Sequence, residues 1–139
     1  MQVFSPDPIG DDLKAILYSL EFQPGFDVPV KVPPDVQELL DKYRNDVVSH
    51  DVEKVMTHFS DGFLDSGTRK GEIKRYFRQV IDSIMSLEVG ITDFVAAGDR
   101  AYLAGFVMGS WGKSPMPGSL IVKENGEWRF YGNQRDAAP

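Results

Sequence analysis

The chain has 139 residues, of which 42% are hydrophobic and 26% are charged, and this composition indicates one folded domain rather than a disordered chain. The net charge of −6 argues against nucleic-acid binding, because contacts with phosphates need a basic surface. The sequence has no cysteine and no long apolar run, so disulfides, thiol catalysis and a membrane-spanning helix are not expected.

The first 34 residues differ from the rest of the chain in their proline content. Six of the nine prolines predict an extended backbone here: Pro6, Pro8, Pro24, Pro29, Pro33 and Pro34. One short helix is predicted over residues 11–20. The segment opens without a basic or apolar leader, so we expect a soluble, cytoplasmic protein rather than an exported one. We interpret residues 1–34 as a packed extension, with a lid or a dimer arm as alternatives.

Three helices are predicted after this extension. Helix one should begin after Pro34, with Asp35 as its N-cap and Glu38 bonding back to it. Helix two should begin at Asp51, also an N-cap, and reach Phe59 before Gly62 stops it. Helix three is predicted over residues 71–86. Its basic side chains indicate a solvated face rather than an anion site: Arg69, Lys70, Lys74, Arg75 and Arg78.

Antiparallel strands are predicted after helix three, where the hydrophobic period changes from 3.6 to 2 residues. Hairpin turns are expected at Gly98-Asp99 and Asn125-Gly126. The strand over residues 100–111 is apolar on both faces, which predicts cover from the helices on one side and from the N-terminal arm or a second subunit on the other. Residues 113–118 are predicted to form a Pro/Gly loop, and residues 136–139 a tail.

Four segments in this order resemble the nuclear transport factor 2-like superfamily, also called the cystatin-like or SnoaL-like fold. They read KYRNDVVSHDVEKVMTHFSDGF, RKGEIKRYF, VAAGDRAYLAGFVM and KENGEWRFYGNQ. The resemblance implies an α+β domain over residues 35–135, in which three N-terminal helices pack against a strongly curved antiparallel sheet. The sheet would form a cone with a pocket between it and the helices. The resemblance also implies a homodimer through the outer face of the sheet.

Steroid isomerases of this fold supply a comparison for the candidate catalytic residues. Their helix-one tyrosine donates a hydrogen bond to the substrate oxygen, and Tyr43 is similar in position because it precedes Asp51 by the same spacing. Their general base is an aspartate on the segment leaving helix two, and Asp65 lies near that place. Gly118 stands where they carry a second acid, so the pair that binds the oxyanion is incomplete in this chain.

Asp93 is a further carboxylate candidate, because strict alternation from the Gly98-Asp99 turn places it on an apolar face of its strand. A bulge that turns Asp93 outward is an equal alternative. No spacing in the sequence indicates a metal site, and no cofactor motif is present. The side chains predicted to line the pocket are Tyr43, Val47, Phe63, Asp65, Phe77, Phe106, Trp128 and Phe130.

Three functions are consistent with these residues. The first is the binding of a small apolar molecule, with Tyr43 and one carboxylate fixing its orientation. The second is an isomerase or cyclase in which a buried carboxylate removes a proton and Tyr43 stabilises the oxyanion. The third is a dimeric protein-interaction module that uses the extension and the outer face of the sheet.

Overall fold

The computed structural model describes residues 29–136 of the chain. Its helices are α1 (Pro34–Val48), α2 (Val52–Met56) and α3 (Lys70–Val80), and a 3₁₀ turn at Ile81–Ser83 follows α3. The helix predicted over residues 11–20 and most of the predicted tail lie outside the described residues. The end of the N-terminal extension runs beside the sheet, where the Val30 N–H donates to the Ile91 carbonyl at 2.7 Å.

Helix α1 begins two residues earlier than a helix capped by Asp35 would, with Pro33 at the N-cap and Pro34 in the first turn. Proline is favoured there because the first helical N–H groups have no partner within the helix. The predicted cap by Asp35 and Glu38 is therefore wrong. The Asp35 carboxylate accepts instead from Trp128 Nε1 at 2.9 Å and from Lys123 Nζ at 3.3 Å. It thereby joins the start of α1 to the last hairpin.

Helix α2 starts as predicted, because the Asp51 carboxylate accepts from the Lys54 N–H at 3.1 Å. It ends at Met56 rather than at Phe59, and Gly62 is not its stop. The cause is a tertiary contact. The backbone around Phe59 leaves the helix to pair with Phe130, whose N–H donates to the His58 carbonyl at 2.8 Å and whose carbonyl accepts from Ser60 at 2.9 Å.

Helix α3 is shorter than the predicted 71–86, because the chain tightens into the 3₁₀ turn after Val80. Its basic residues pair with surface carboxylates. Lys70 lies 2.8 Å from Asp61, and Lys74 lies 3.2 Å from Glu53. These pairs agree with the interpretation of a solvated helix face.

Two sheets complete the described residues. A short hairpin pairs β1 (Leu64–Asp65) with β2 (Thr68–Arg69). The main sheet is antiparallel, in the order β3-β4-β5-β6. Its strands are β3 (Leu87–Ala97), β4 (Arg100–Gly109), β5 (Gly112–Glu124) and β6 (Glu127–Gly132). Both predicted turns, at Gly98-Asp99 and Asn125-Gly126, are confirmed, and the α+β class is confirmed with them.

The loop predicted over residues 113–118 is wrong, because these residues form the first half of β5. Pro115 pairs with Phe106 of β4, whereas β6 pairs with β5 only from Leu120 onward. The first half of β5 is thus an edge of the sheet. Proline is tolerated at an edge, since its missing N–H removes no hydrogen bond from a second neighbour.

Register shifts interrupt the main sheet at three neighbouring places. They fall between Ile91 and Asp93 on β3, between Leu103 and Gly105 on β4, and between Leu120 and Ile121 on β5. A register shift of this kind bends a strand and increases its twist. One buried core lies between α1 and the main sheet. It includes Val36, Leu103 and Ile121.

Candidate functional site

A cavity of about 340 Å³ lies between α1 and the main sheet. Its wall is formed mostly by aliphatic and aromatic side chains: Leu40, Tyr43, Phe59, Phe63, Val89, Leu103, Val107, Met116 and Phe130. Its polar side chains come from the β1–β2 hairpin, from β5 and from the residue after β6: Asp65, Ser66, Ser119 and Asn133. Pro117 and Gly118 complete the lining, and both Ser66 and Pro117 are exposed to solvent. The cavity is therefore apolar with polar groups on one side.

Tyr43 reaches this cavity from the third turn of α1. Its ring packs edge-on against Phe130, with 5.0 Å between ring centroids, and against Phe59 at 6.1 Å. Burial raises the pKa of the Tyr43 hydroxyl, and nearby Tyr76 adds to the effect. Within residues 29–136 no atom accepts a hydrogen bond from this hydroxyl. Tyr43 is thus a neutral O–H donor with an unused hydrogen bond.

Asp65 is placed by the β1–β2 hairpin, whose turn residues Ser66 and Gly67 have positive φ angles of 49° and 87°. The hairpin is attached to the chain after β6. The Asn133 N–H donates to Asp65 Oδ1 at 2.8 Å, and the Gln134 N–H donates to the Leu64 carbonyl at 2.8 Å. These bonds hold the carboxylate at the cavity wall.

Gly132 makes this attachment possible. Its φ of +80° is one that side chains disfavour, and a Cβ at this position would overlap the Leu64 carbonyl. A glycine is therefore required where β6 passes the hairpin that carries Asp65.

Four of the residues predicted to bind a ligand line this cavity together: Tyr43, Phe63, Asp65 and Phe130. Val47 and Phe77 lie on the other side of Tyr43. They line a neighbouring cavity of about 480 Å³ between α1, α3 and the sheet, and both are buried in the core. The two cavities share Tyr43 and Val107 in their walls.

Phe106 and Trp128 lie away from the cavity. Phe106 alternates with the inward-facing Val107 and so points to the outer face of β4, where its ring lies 4.5 Å from Lys113 Nζ. Trp128 packs in the core beside the start of α1, which is consistent with its bond to Asp35. Asp93 is exposed and pairs with Ala104 in the strict register counted from the Gly98-Asp99 turn, on the same face as Val95 and Tyr102. The predicted bulge is present, but it lies just before Asp93 and reverses Ile91 and Val89 instead.

Gly118 lies in the cavity wall, opposite the ring of Tyr102 on the outer side of the sheet. A Cβ at Gly118 would overlap that ring, so a larger residue would require Tyr102 to move. Among the described residues, Asp65 is the only acid in the lining. The cavity holds Tyr43 and one carboxylate, without the second acid that steroid isomerases carry.

The histidines of the described chain form no metal cluster. Within residues 29–136, no three His, Cys, Asp or Glu side chains could hold a metal ion together. His58 Nε2 lies 2.7 Å from the Asp46 carboxylate, and His50 Nε2 lies 2.9 Å from the Ile84 carbonyl. Each histidine thus has a structural hydrogen bond outside the cavity.

Several residues that line the cavity were not predicted from the sequence. Met116 and Ser119 were missed because the prolines and Gly118 around them indicated a loop. Ser66 could have been found, since Ser-Gly is a turn dipeptide and a turn there would present Asp65 at a hairpin end. Asn133 carries no local signal, because its position depends on the distant β1–β2 hairpin.

Comparison with solved structures identifies the fold. A nuclear transport factor 2-like protein of unknown function from Shewanella oneidensis has a TM-score of 0.59 at 13% identity, with 70% of this chain and 93% of that chain covered. A protein of unknown function from Nostoc punctiforme with a cystatin-like fold has a TM-score of 0.50 at 15% identity, with coverage of 74% and 91%. The fold is nuclear transport factor 2-like. This confirms the resemblance seen in the sequence.

This chain is also similar to part of a longer protein. Bd1075 of Bdellovibrio bacteriovorus has a TM-score of 0.57 at 13% identity, and this chain covers only 38% of it. No protein-family model matches the sequence, and no curated protein is detectably similar to it. These likenesses describe the fold alone. No helix within residues 29–136 is long and apolar enough to cross a membrane.

Proposed function

We propose that this protein binds a small, mostly apolar molecule in the cavity between α1 and the main sheet. The observation that carries the proposal is the lining of the cavity of about 340 Å³, which is aliphatic and aromatic apart from a few polar side chains. Small-molecule sites commonly have volumes of roughly 300–1,000 Å³ and this kind of lining. Burial of the apolar part of the ligand would supply most of the affinity.

Two polar groups would fix the orientation of the ligand. The Tyr43 hydroxyl is a protonated donor with no partner within residues 29–136, so a carbonyl or hydroxyl oxygen of the ligand could accept from it. Asp65 is held in the same wall by the Asn133 N–H and could accept from a donor on the ligand. A ligand oxygen in the cavity could therefore accept from Tyr43 without displacing a hydrogen bond within residues 29–136.

A fluorescent probe tests the proposal. Phenylnaphthylamine is small, apolar and uncharged near neutral pH, and its emission rises when it leaves water. We expect saturable binding to the wild-type protein. Met116→Trp places a large ring in the cavity wall and should weaken binding at least tenfold. Met85→Trp is the matched control, because Met85 is 71% exposed and lies outside the cavity.

Circular dichroism would establish that both tryptophan variants are folded before their affinities are compared. Equal binding by Met116→Trp and Met85→Trp would place the probe elsewhere on the protein. No binding by the wild type to this probe or to other neutral apolar molecules of similar size would contradict the proposal.

The isomerase alternative rests on one specific observation, namely that Tyr43 and Asp65 line the same cavity. Proton removal by Asp65 would then leave the oxyanion to Tyr43 alone, because Gly118 provides no second acid. Binding without turnover is the function that we favour. Conversion of a β,γ-unsaturated ketone that depends on both Tyr43 and Asp65 would instead establish the isomerase.

We also propose that the protein forms a homodimer through the outer face of the main sheet. Large apolar side chains are exposed on that face: Val95 at 65%, Tyr102 at 43% and Met108 at 47%. Exposed apolar patches on a sheet are common at protein interfaces.

A further inference from the structure

We infer that the preferred ligand is a lipophilic amine, with an apolar body in the cavity and a protonated amine beside Asp65. This inference rests on the proposed function, since it names the chemical class of the ligand. The inference follows from the charged side chains that line the cavity. Asp65 is the only charged side chain in the lining, and no lysine, arginine or histidine within residues 29–136 contributes to the wall.

The Asp65 carboxylate is available to a ligand. Its Oδ1 atom accepts the Asn133 N–H at 2.8 Å, and within the described residues it receives no other hydrogen bond and forms no ion pair. The second carboxylate oxygen therefore has no protein donor among residues 29–136. A protonated amine at the rim would give that oxygen a charge-assisted hydrogen bond.

Neighbouring groups suit a cation better than an anion. Asn133 Oδ1 already accepts from the Ser66 and Arg135 N–H groups, whereas Ser66 Oγ accepts only from Asn133 Nδ2 at 2.9 Å. The Ser66 hydroxyl, next to Asp65 in the chain, could therefore accept from a second ammonium N–H. Four aromatic rings line the rest of the cavity, those of Tyr43, Phe59, Phe63 and Phe130. These rings would enclose the apolar body of the ligand.

The charge of the cavity lining would disfavour an anionic ligand. Its carboxylate would lose water at the rim and face Asp65 without any compensating cation among the described lining residues. A neutral alcohol would gain the burial of its apolar body and a hydrogen bond, but no charge pairing. The cavity should therefore rank three ligands of one shape as ammonium, then alcohol, then carboxylate.

Adamantylamine, adamantanol and adamantanecarboxylate provide that comparison, because they share one compact apolar body. Their dissociation constants would be measured by calorimetry at neutral pH, with competition against bound phenylnaphthylamine as a second readout. We expect the amine to bind roughly tenfold more tightly than the alcohol, and the carboxylate to bind most weakly. Asp65→Asn keeps an oxygen that accepts from Asn133 but removes the charge, so it should bring the amine to the affinity of the alcohol.

Asp93→Asn is the matched control. It removes one negative charge from the protein at an exposed position outside the cavity, and it should leave the ranking unchanged. Equal affinity for the three probes, tighter binding of the carboxylate, or an amine preference that survives Asp65→Asn would overturn the inference while leaving a ligand-binding cavity. Failure of all adamantyl probes and of phenylnaphthylamine would overturn the proposed function itself.

Discussion

At the scale of single residues, the candidate site depends on groups whose partners lie far away in the sequence. Tyr43 and Asp65 both line the cavity, as their positions in the sequence had indicated. Phe106 and Trp128 were assigned to the ligand and lie elsewhere, because strand alternation tells which residues share a face but not what covers that face. The surroundings of Asp93 could not be decided from the sequence, since a single extra residue next to it in β3 changes which residues share its face.

Burial of Tyr43 predicts a stability change at high pH. In the unfolded chain the hydroxyl ionises near its ordinary pKa of 10.0, whereas burial raises its pKa in the folded state. Above pH 10 the unfolded state therefore binds fewer protons, and the free energy of unfolding falls as pH rises. The contribution of Tyr43 to this fall approaches about 1.4 kcal/mol per pH unit. It persists until the pH reaches the raised pKa of the folded state.

Urea denaturation of the wild type and of Tyr43→Phe, repeated at several pH values just above 10, measures this contribution. Other groups titrate in both proteins, so the difference between the two slopes isolates Tyr43. We expect the stability of Tyr43→Phe to fall less steeply with pH. Identical slopes would mean that the hydroxyl ionises equally well in the folded and unfolded states.

Ser60 gives a second prediction at this scale. It is 1% exposed, donates to Glu124 Oε2 at 2.8 Å and accepts from the Gly62 N–H at 3.1 Å. Ser60→Ala removes both hydrogen bonds, one of them to the charged Glu124 carboxylate, and should lower the free energy of unfolding by about 1–3 kcal/mol. Ser83→Ala is the control, since that hydroxyl is exposed and a change within about 0.5 kcal/mol is expected. Equal effects in chemical denaturation would contradict the role given to Ser60.

At the scale of elements, the sequence predicted what local chemistry decides. Two of the three hairpin turns of the main sheet, the Asp51 cap and the solvated face of α3 follow from residues close together in the chain. The extent of α2 did not, because Phe59 leaves the helix to pair with Phe130. The sequence also did not predict that Pro115 lies in a strand. Proline is tolerated there because β6 does not pair with this half of β5.

The backbones of β3 and β4 approach closely beside the register shift on β3, which leaves no room for a side chain at Gly105. A Cβ there would overlap the Gly90 carbonyl and lie 2.9 Å from Ile91 Cα. Gly105→Ala should therefore force the two backbones apart and cost about 1–3 kcal/mol, as overpacking of a core does. Gly71→Ala in α3 is the control, because nothing lies within 4 Å of its Cβ and alanine favours a helix by up to about 1 kcal/mol. A Gly105→Ala protein as stable as Gly71→Ala in thermal unfolding would contradict this account of the sheet.

At the scale of the whole molecule, the α+β order was predictable from the change in hydrophobic period, and the likeness to solved structures confirms the fold. The outer face of the sheet carries large apolar side chains that are exposed. Val95 and Tyr102 face each other across β3 and β4 and are both exposed. If this face joins two copies of the chain, the wild type should sediment as a dimer. Val95→Glu should then shift it to the monomer, because a charge would be buried in the interface.

Gln79→Glu is the matched control for the dimer, since it adds the same charge on the exposed side of α3. It should leave the sedimentation coefficient unchanged. A wild-type protein that sediments as a monomer at micromolar concentration, or a Val95→Glu variant that remains a dimer, would contradict an interface on this face.

The most direct measurement is a methyl NMR titration of the wild-type protein with phenylnaphthylamine, because it locates the ligand as well as detecting it. If the cavity is the binding site, the methyl resonances that shift should be those of Leu40, Val89, Leu103, Val107 and Met116, which line it. Met85, Val95 and Met108 lie outside and should stay in place. Shifts confined to these exposed methyl groups, or no shifts at saturating probe, would contradict a ligand-binding cavity.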